Sequence, residues 1–175
     1  MKDMENQPIV TLNNLLDHDA RKFTSDEVQL ERKLPDWIKL ASSLKLKIIL
    51  EKYLDLVQQH IRKMDVFFTE ENLNYLSLES SVMRAFIEET DGKLSMCSGA
   101  EVKDVCLLAG IQRINHFKIS TYGTAAAFAN DLEIRHAADI FHELEINEKQ
   151  IDDRLSQLAE HNINIKAIAP LLLRK

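Results

Sequence analysis

Glycine, proline and cysteine are scarce in this chain of 175 residues, which holds only four, three and two of them. So few helix-breaking residues, beside many Leu, Ile, Ala, Glu and Lys, favour an all-helical protein. The two cysteines, Cys97 and Cys106, form no CxxC pair and no disulfide framework. We interpret both as free, unreactive thiols in a reducing compartment, with Cys97 in a loop and Cys106 inside a helix.

Basic runs and long apolar runs are absent as well. The formal net charge is -6, and without clustered Lys and Arg a nucleic-acid partner is not expected. No apolar run approaches the length that spans a bilayer, which argues against a membrane protein. The polar stretch 1–10 lacks the basic start and apolar core of a signal peptide. We therefore expect a soluble, cytoplasmic protein.

Four long segments repeat apolar residues at helical spacing, and a shorter one lies between the second and the third. The first begins after Thr11 and includes Pro35, which is expected to kink or disturb the helix. The second follows the possible N-cap Ser42-Ser43. The short amphipathic helix is predicted near Leu78–Glu89, with Asp91-Gly92 as its stop.

The third and fourth long helices each begin at a predicted capping box. Ser98 and Glu101 open the third helix, which is the most apolar of the set and ends near residue 130. Asn130 and Glu133 open the fourth. The inward stripe predicted for the third helix comprises Val105, Ala109, Gln112, His116, Ile119, Gly123 and Ala126.

These elements predict a single all-α domain without repeats or linkers. Residues 1–10 form a polar N-terminal segment, and residues 11–160 form a four-helix bundle with an additional short helix between the second and third long helices. Residues 161–175 form an apolar tail that is expected to pack on the bundle or on a partner subunit.

One polar residue interrupts the apolar stripe of each long helix. These residues are Glu27, His60, His116 and Glu148. A buried carboxylate or imidazole is costly unless it is paired, protonated or bound to metal. If the four positions converge inside the bundle, their oxygen and nitrogen atoms suit iron, manganese or zinc. The sequence therefore predicts a candidate metal site at these four residues.

Each of the four residues also has a purely structural interpretation. Glu27 follows Thr24 at capping-box spacing and would be exposed if the helix began there. His60 could lie at the boundary of the core, and His116 could be a core histidine bonded to a helix carbonyl or to Glu148. A modest rotation of the fourth helix would expose Glu148. Without a GxSxG, a Gly-rich phosphate loop or an HExxH, no catalytic residue is predicted.

The stretch Val102–Gly123, VKDVCLLAGIQRINHFKISTYG, resembles the long helix of the YciF/YciE-like family of ferritin-like bacterial stress proteins. Asp26–Pro35 (DEVQLERKLP), Met83–Glu89 and Asp152–Ala159 resemble other segments of that family in the same order. The resemblance covers about residues 11–165. It implies a ferritin-like four-helix bundle, often a homodimer, with a stress association and no established reaction.

The resemblance also implies a di-metal centre, because Glu27, His60, His116 and Glu148 match positions of the family's ligand set. Several acids of that set are replaced here. The replacing residues are Leu56, Arg84, Asn115, Lys118 and Asn147. Two of the replacements are cationic, which works against binding of two metal ions.

Three hypotheses follow for the function. The first is a metal-free, stress-associated structural protein with a degenerate site, in which Glu27 and Glu148 pair with Arg84 or Lys118. The second is a metal-binding protein with one iron, manganese or zinc ion and an oxidative or metal-handling activity. The third is an interaction module that binds a partner through the apolar tail. No substrate is predicted, and an enzyme is the less favoured alternative.

Overall fold

The computed structural model describes residues 8–70 and 78–168, and these residues form helices without any strand. In chain order the helices are α1 (Leu12–Leu40), α2 (Leu44–Glu70), α3 (Ser81–Met96), α4 (Ala100–Asp131) and α5 (Arg135–Leu158), followed by a π-helical turn (Ala159–Ile163) and the short α6 (Asn164–Ala167). This confirms the predicted all-α bundle with an additional helix between the second and third long helices. In the described ranges no helix is long and apolar enough to span a bilayer.

The first two helices begin where the sequence predicts. Thr11 caps α1 by accepting a hydrogen bond from the backbone of Asn14, and α1 continues through Pro35. At the start of α2 the carboxylate of Asp104 on α4 accepts hydrogen bonds from both backbone amides of Ser42-Ser43, each at 2.8 Å. Because helix N-termini leave amides unsatisfied, this buried aspartate both caps α2 and ties α4 to the α1–α2 turn.

The predicted stop of α3 at Asp91-Gly92 is wrong, because the helix continues to Met96. The carboxylate of Asp91 accepts a hydrogen bond from Trp37 Nε1 of α1 at 2.8 Å. Leu94, beyond the glycine, packs into the core. These contacts favour the helical path over the turn that an Asp-Gly pair forms in isolation.

The capping boxes predicted for the third and fourth long helices are also wrong. Gly99 precedes α4 and makes no side-chain cap, and α4 runs past Asn130. The link to α5 instead contains Glu133 at a φ of 60°, the only non-glycine residue with positive φ in the described part of the chain. A left-handed residue in the link reverses the chain without an asparagine cap.

The core consists of two hydrophobic clusters. One surrounds Trp37, Tyr53 and Leu155, and the other surrounds Phe23 and Phe141. The middle segments of α1, α2, α4 and α5 lie between the clusters, and there the buried side chains are polar. The most extensive packing joins α4 to α5 and α1 to α2, while α3 packs mainly on α4.

The C-terminal segment packs on the bundle as far as the structure describes it. Ile163 is buried in the cluster around Trp37, and α6 contacts α4. Ile165 and Ile168 are exposed. The leucines of the predicted tail, Leu171–Leu173, lie outside the described residues. The division of the chain at residues 10 and 160 stays a prediction.

Candidate functional site

A layer of buried charge lies midway along the four long helices. Glu27 on α1, His60 on α2 and Glu148 on α5 are fully buried, and Lys118 on α4 is 1% exposed. The first three lie on the predicted apolar stripes of their helices, so the packing of those stripes brings the three side chains to one point. We call Glu27, His60, Lys118 and Glu148 the central layer.

His60 connects the two carboxylates of the central layer. Its Nδ1 lies 3.0 Å from Glu27 Oε1 and 3.5 Å from Glu148 Oε1. The other ring nitrogen, Nε2, lies 3.5 Å from the side-chain nitrogen of Asn147. Since carboxylate oxygens only accept, Nδ1 carries the proton that bonds to Glu27.

Lys118 forms the centre of the layer. Its ammonium donates to Glu27 Oε2 at 2.9 Å and lies 2.5 Å from Glu148 Oε1. It also donates to the hydroxyl of Tyr53 at 3.3 Å, and it lies 4.9 Å from the centre of that ring. Lys118 therefore makes hydrogen bonds to Glu27 and Tyr53 and an ion pair with Glu148.

Neutral groups satisfy the remaining carboxylate oxygens. Tyr53 donates its hydroxyl to Glu148 Oε2 at 2.8 Å, and Tyr122 donates its hydroxyl to Glu27 Oε1. Asn115 Nδ2 donates to Glu148 Oε2 at 2.5 Å and to the backbone oxygen of Glu148 at 3.0 Å. All four carboxylate oxygens of the central layer therefore contact a donor or a cation.

The charges of the layer reinforce one another. Burial alone would raise the pKa of Glu27, but attraction to Lys118 and His60, with hydrogen bonds from His60 and Tyr122, lowers it to about 2. Burial likewise would lower the pKa of Lys118, but Glu148 and Glu27 hold it well above its usual range. Burial and the nearby carboxylates raise the pKa of both Tyr53 and Tyr122. At neutral pH Lys118 is therefore an ammonium and Glu27 a carboxylate, and the adjoining Tyr53 and Tyr122 are neutral phenols.

Asp26 lies next to the central layer in α1 and behaves differently. It is 2% exposed, its Oδ1 has no hydrogen-bond partner in the described structure, and its carboxyl interacts with the Ser80 side chain at the start of α3. Burial raises the pKa of Asp26 to about 7, and the charge of Glu27 adds to this effect. Asp26 therefore titrates near neutrality, whereas Glu27 stays ionised.

The placement of His116 in the core is wrong. Its side chain is 63% exposed, and its Nε2 lies 2.9 Å from Asp152 Oδ1 on α5. The inward face of α4 is instead the one that carries Asn115, Lys118 and Tyr122. Of the stripe predicted for this helix only Ala126 is buried, so the predicted face is rotated away from the core.

Arg84 also lies apart from the central layer. Its guanidinium pairs with Glu79 at the surface, so Lys118 alone of the two predicted cations neutralises Glu27 and Glu148. The pairing of Glu27 and Glu148 with Lys118, one of the two cations named in the first hypothesis, is confirmed. The apolar stripes did not identify Tyr53, Tyr122 and Asn115 as members of the site. The signal for Lys118 and Asn115 is their place in the family's ligand pattern. Tyr53 lies seven residues before His60, on the same helix face, which is the signal that could have identified it.

Three of the residues have the chemistry and spacing of metal ligands. One atom each from Glu27, His60 and Glu148 lie within 4.8 Å of one another. However, the ammonium of Lys118 already contacts one oxygen of each carboxylate, and it shares the two negative charges that a metal ion would need. The residues present therefore fit an ion-paired centre and do not fit a di-metal cluster.

Comparisons with known proteins identify the family of this chain and other proteins with the same fold. Residues 11–168 match the model of a family described as a domain of unknown function, DUF892. The chain belongs to this family. The chain is also 32% identical to the protein YciF of Escherichia coli strain K12 over 158 residues, which cover 90% of this chain and 95% of that protein.

Two solved structures share the bundle. The crystal structure of the E. coli stress protein YciF matches with a TM-score of 0.84 and 30% identity, covering 89% of this chain and 99% of that one. YcfI of Rhodopseudomonas palustris matches with the same TM-score and 24% identity, covering 86% of this chain and 96% of that one. At that identity the second match supports the fold alone.

Proposed function

We propose that this chain is a stress-associated structural protein of the DUF892 family, in which a buried lysine stands in for the metal ions of a ferritin-like centre. The observation that carries the proposal is the position of Lys118 Nζ, in contact with both Glu27 and Glu148. In this proposal the bundle catalyses no reaction, and the central layer is a stabilising element. The stress association is supported by the similarity to the E. coli stress protein YciF.

The charge balance of the layer supports a metal-free state. Two carboxylates and one ammonium leave at most one unbalanced negative charge, which His60 shares through its hydrogen bond. A metal ion would need the ammonium to lose its proton or to leave the layer. Both routes are costly, because the neighbouring carboxylates stabilise the charged amine and the site is closed to water.

A second candidate function is metal binding with an oxidative or metal-handling activity. The observation that favours it is the close approach of three ligand atoms from Glu27, His60 and Glu148. One iron, manganese or zinc ion would suit this oxygen and nitrogen set. It ranks below the structural function because it requires the displacement of Lys118.

Metal analysis of the native protein and two lysine variants separates the structural function from the metal-binding function. Native protein purified without added metal is expected to contain no stoichiometric iron, manganese or zinc by mass spectrometry. In Lys118→Ala the cation is removed, and a divalent ion is expected to bind and raise the melting temperature, while the same ion leaves the native melting temperature unchanged. A matched control, Lys149→Ala, removes a surface lysine that pairs with Glu145 and should respond like the native protein.

A native ion that resists chelation would overturn the structural proposal. Its assignment to the central layer would then be checked with Glu27→Ala combined with Glu148→Ala, which should lose the ion. If that double variant kept the ion, the central layer would not be the metal site either. Circular dichroism of each variant would show that the helices persist.

We also propose that the protein is cytoplasmic and that it is a homodimer, and the family resemblance implies the homodimer. Exposed apolar side chains at Leu44, Met96 and Ile168 provide surface for such an interface. Light scattering on the full chain should give twice the mass of one chain. A chain truncated after His161 tests the tail: an unchanged dimer would argue that the interface lies on the bundle, and a monomer would assign it to the tail.

A further inference from the structure

The two cysteines of the chain lie close together, although the sequence gives no CxxC motif. Cys97 ends α3, where its backbone amide donates to the backbone oxygen of Leu94. Its Sγ lies 3.2 Å from the backbone oxygen of Lys93 and 4.0 Å from that of Val102. The second contact places the Cys97 sulfur over the first turn of α4.

Cys106 lies four residues after Val102 and therefore on the same face of α4, one turn later. Helical side chains lean toward the N-terminus of their helix, so the Cys106 side chain is directed toward the turn that Cys97 contacts. The Cys97 sulfur, in contact with Val102, therefore lies beside the turn of α4 that carries Cys106. Both residues are free and only partly buried, so a small solute can reach them.

We propose that Cys97 and Cys106 form a redox modification site, in which a peroxide converts the two thiols into a reversible disulfide that links α3 to α4. The geometry assigns the roles. Cys97 is the residue oxidised first, because it lies in the exposed link between α3 and α4, whereas Cys106 packs against the core. Cys106 is the resolving residue, held next to it. The inference does not depend on the central layer, since neither cysteine contacts it.

The surroundings of Cys106 agree with this division of roles. Burial raises the pKa of the Cys106 thiol, and the neighbouring Cys97 adds to the effect, while Arg113 and Lys93 lower it. Because the thiolate is the nucleophile, attack on peroxide is disfavoured at Cys106. Its sulfur is nevertheless in place to attack an oxidised Cys97.

The chemistry balances with hydrogen peroxide as the oxidant. The Cys97 thiolate attacks one peroxide oxygen, the O–O bond breaks, and a sulfenic acid and one water result. The Cys106 sulfur then attacks Cys97 Sγ, the S–O bond breaks, and a second water leaves. The two thiols lose two electrons and two protons in total, which the peroxide takes up as two waters, and a dithiol reductant reverses the reaction.

The test treats the reduced full chain with one equivalent of hydrogen peroxide. Thiols are counted in denaturant, the intact mass is measured, and the peptides are mapped without reduction. The thiol count is expected to fall from two to none, the mass to fall by two hydrogens, and a dithiol to restore both. The bond should also form faster in the folded protein than in protein unfolded in urea.

Two serine variants serve as controls that change one atom each. In Cys106→Ser the loss of two hydrogens should disappear, and Cys97 should instead gain oxygen or form a reducible dimer between chains. In Cys97→Ser the remaining Cys106 should oxidise more slowly than Cys97 does in the other variant. Two surviving thiols in treated native protein, a disulfide found only between chains, or equal rates in folded and unfolded protein would each overturn the proposal.

Discussion

Lys118 on α4 donates to Glu27 on α1 across 2.9 Å, although 91 residues separate them in the chain. Both side chains are shielded from water, and the same ammonium reaches Glu148 on α5. Buried charges are tolerated when each is paired and hydrogen-bonded, and they become strongly destabilising when one partner is removed. The central layer should therefore respond to single substitutions far more than surface ion pairs do.

Lys118→Met removes the ammonium while keeping the length of the side chain. Two carboxylates then remain buried together, and we expect a loss of about 3–5 kcal/mol in the free energy of unfolding, measured by urea denaturation at pH 7. Lys149→Met removes an exposed lysine that pairs with the partly buried Glu145, and it should cost less than about 1 kcal/mol. Adding Glu27→Gln and Glu148→Gln to Lys118→Met removes all three charges and should restore most of the loss. A single Lys118→Met variant as stable as the native protein would show that the ammonium is not needed.

Glu27 should make stability fall in acid. Its pKa is about 2 in the folded protein, below the ordinary value of 4.5, so its contribution is complete above pH 4.5 and is lost as the pH falls toward 2. The shift corresponds to about 3 kcal/mol. The free energy of unfolding, measured by urea denaturation at several pH values in this range, should fall more steeply with falling pH for the native protein than for Glu27→Gln. If the free energy of unfolding fell equally with pH in both proteins, the Glu27 carboxyl would have the same pKa in the folded and the unfolded state.

Asp26 should act in the opposite direction. Its pKa is raised from 3.8 to about 7, so its neutral form stabilises the fold below pH 3.8, and that contribution is lost as the pH rises through 7. Asp26→Asn keeps the shape of the neutral side chain, and its stability relative to native protein should increase between pH 4 and pH 7, by up to about 4 kcal/mol. The exposed Asp36→Asn is the control and should show no such trend.

Gly110 should be intolerant of alanine. A Cβ atom there would lie 2.5 Å from the Thr90 side chain, which is buried and held by a hydrogen bond from its hydroxyl to the backbone oxygen of Phe86. We expect Gly110→Ala to cost about 1–3 kcal/mol, despite the better helix propensity of alanine. At Gly92 a Cβ meets nothing within 4 Å, so Gly92→Ala should stabilise α3 by about 0.5–1 kcal/mol. Thermal denaturation of the two variants should therefore shift in opposite directions.

The two histidines of the predicted site should differ in their effects. His60→Gln replaces a fully buried ring that donates to Glu27, and we expect a loss of about 1–3 kcal/mol on urea denaturation. His116→Gln changes an exposed histidine that pairs with the partly buried Asp152, and it should cost less than about 1 kcal/mol. Equal losses would contradict the assignment of only one histidine to the core.

Hydrophobic periodicity predicted the central layer where each helix has a single apolar stripe. On α1, α2 and α5 the apolar residues lie on one helix face only. The predicted burial of Glu27, His60 and Glu148 on these faces is confirmed. Helix α4 packs on α5, α3 and α1, so apolar residues lie on several of its faces and the period has no single phase. The choice of a face that includes His116 was therefore wrong.

Other features depend on contacts that no local pattern encodes. Lysine is rarely buried, so a stripe analysis assigns Lys118 to the surface unless its two acidic partners are already known. The continuation of α3 past Gly92 depends on contacts that Asp91 and Leu94 make with other parts of the bundle. The proximity of Cys97 and Cys106 likewise depends on how α3 meets α4, not on their spacing in the chain.

The central layer also fixes how the helices align along the bundle axis. Apolar stripes alone allow one helix to slide past its neighbours by a turn, about 5.4 Å, with little loss of buried area. Here such a slide would carry Lys118 away from both carboxylates and into the aromatic side chains around Phe141 or the aliphatic ones around Leu155. A stranded ammonium in hydrocarbon is far more costly than a shifted leucine. The central layer therefore selects one axial register for four helices that hydrophobic contacts alone would leave free to shift.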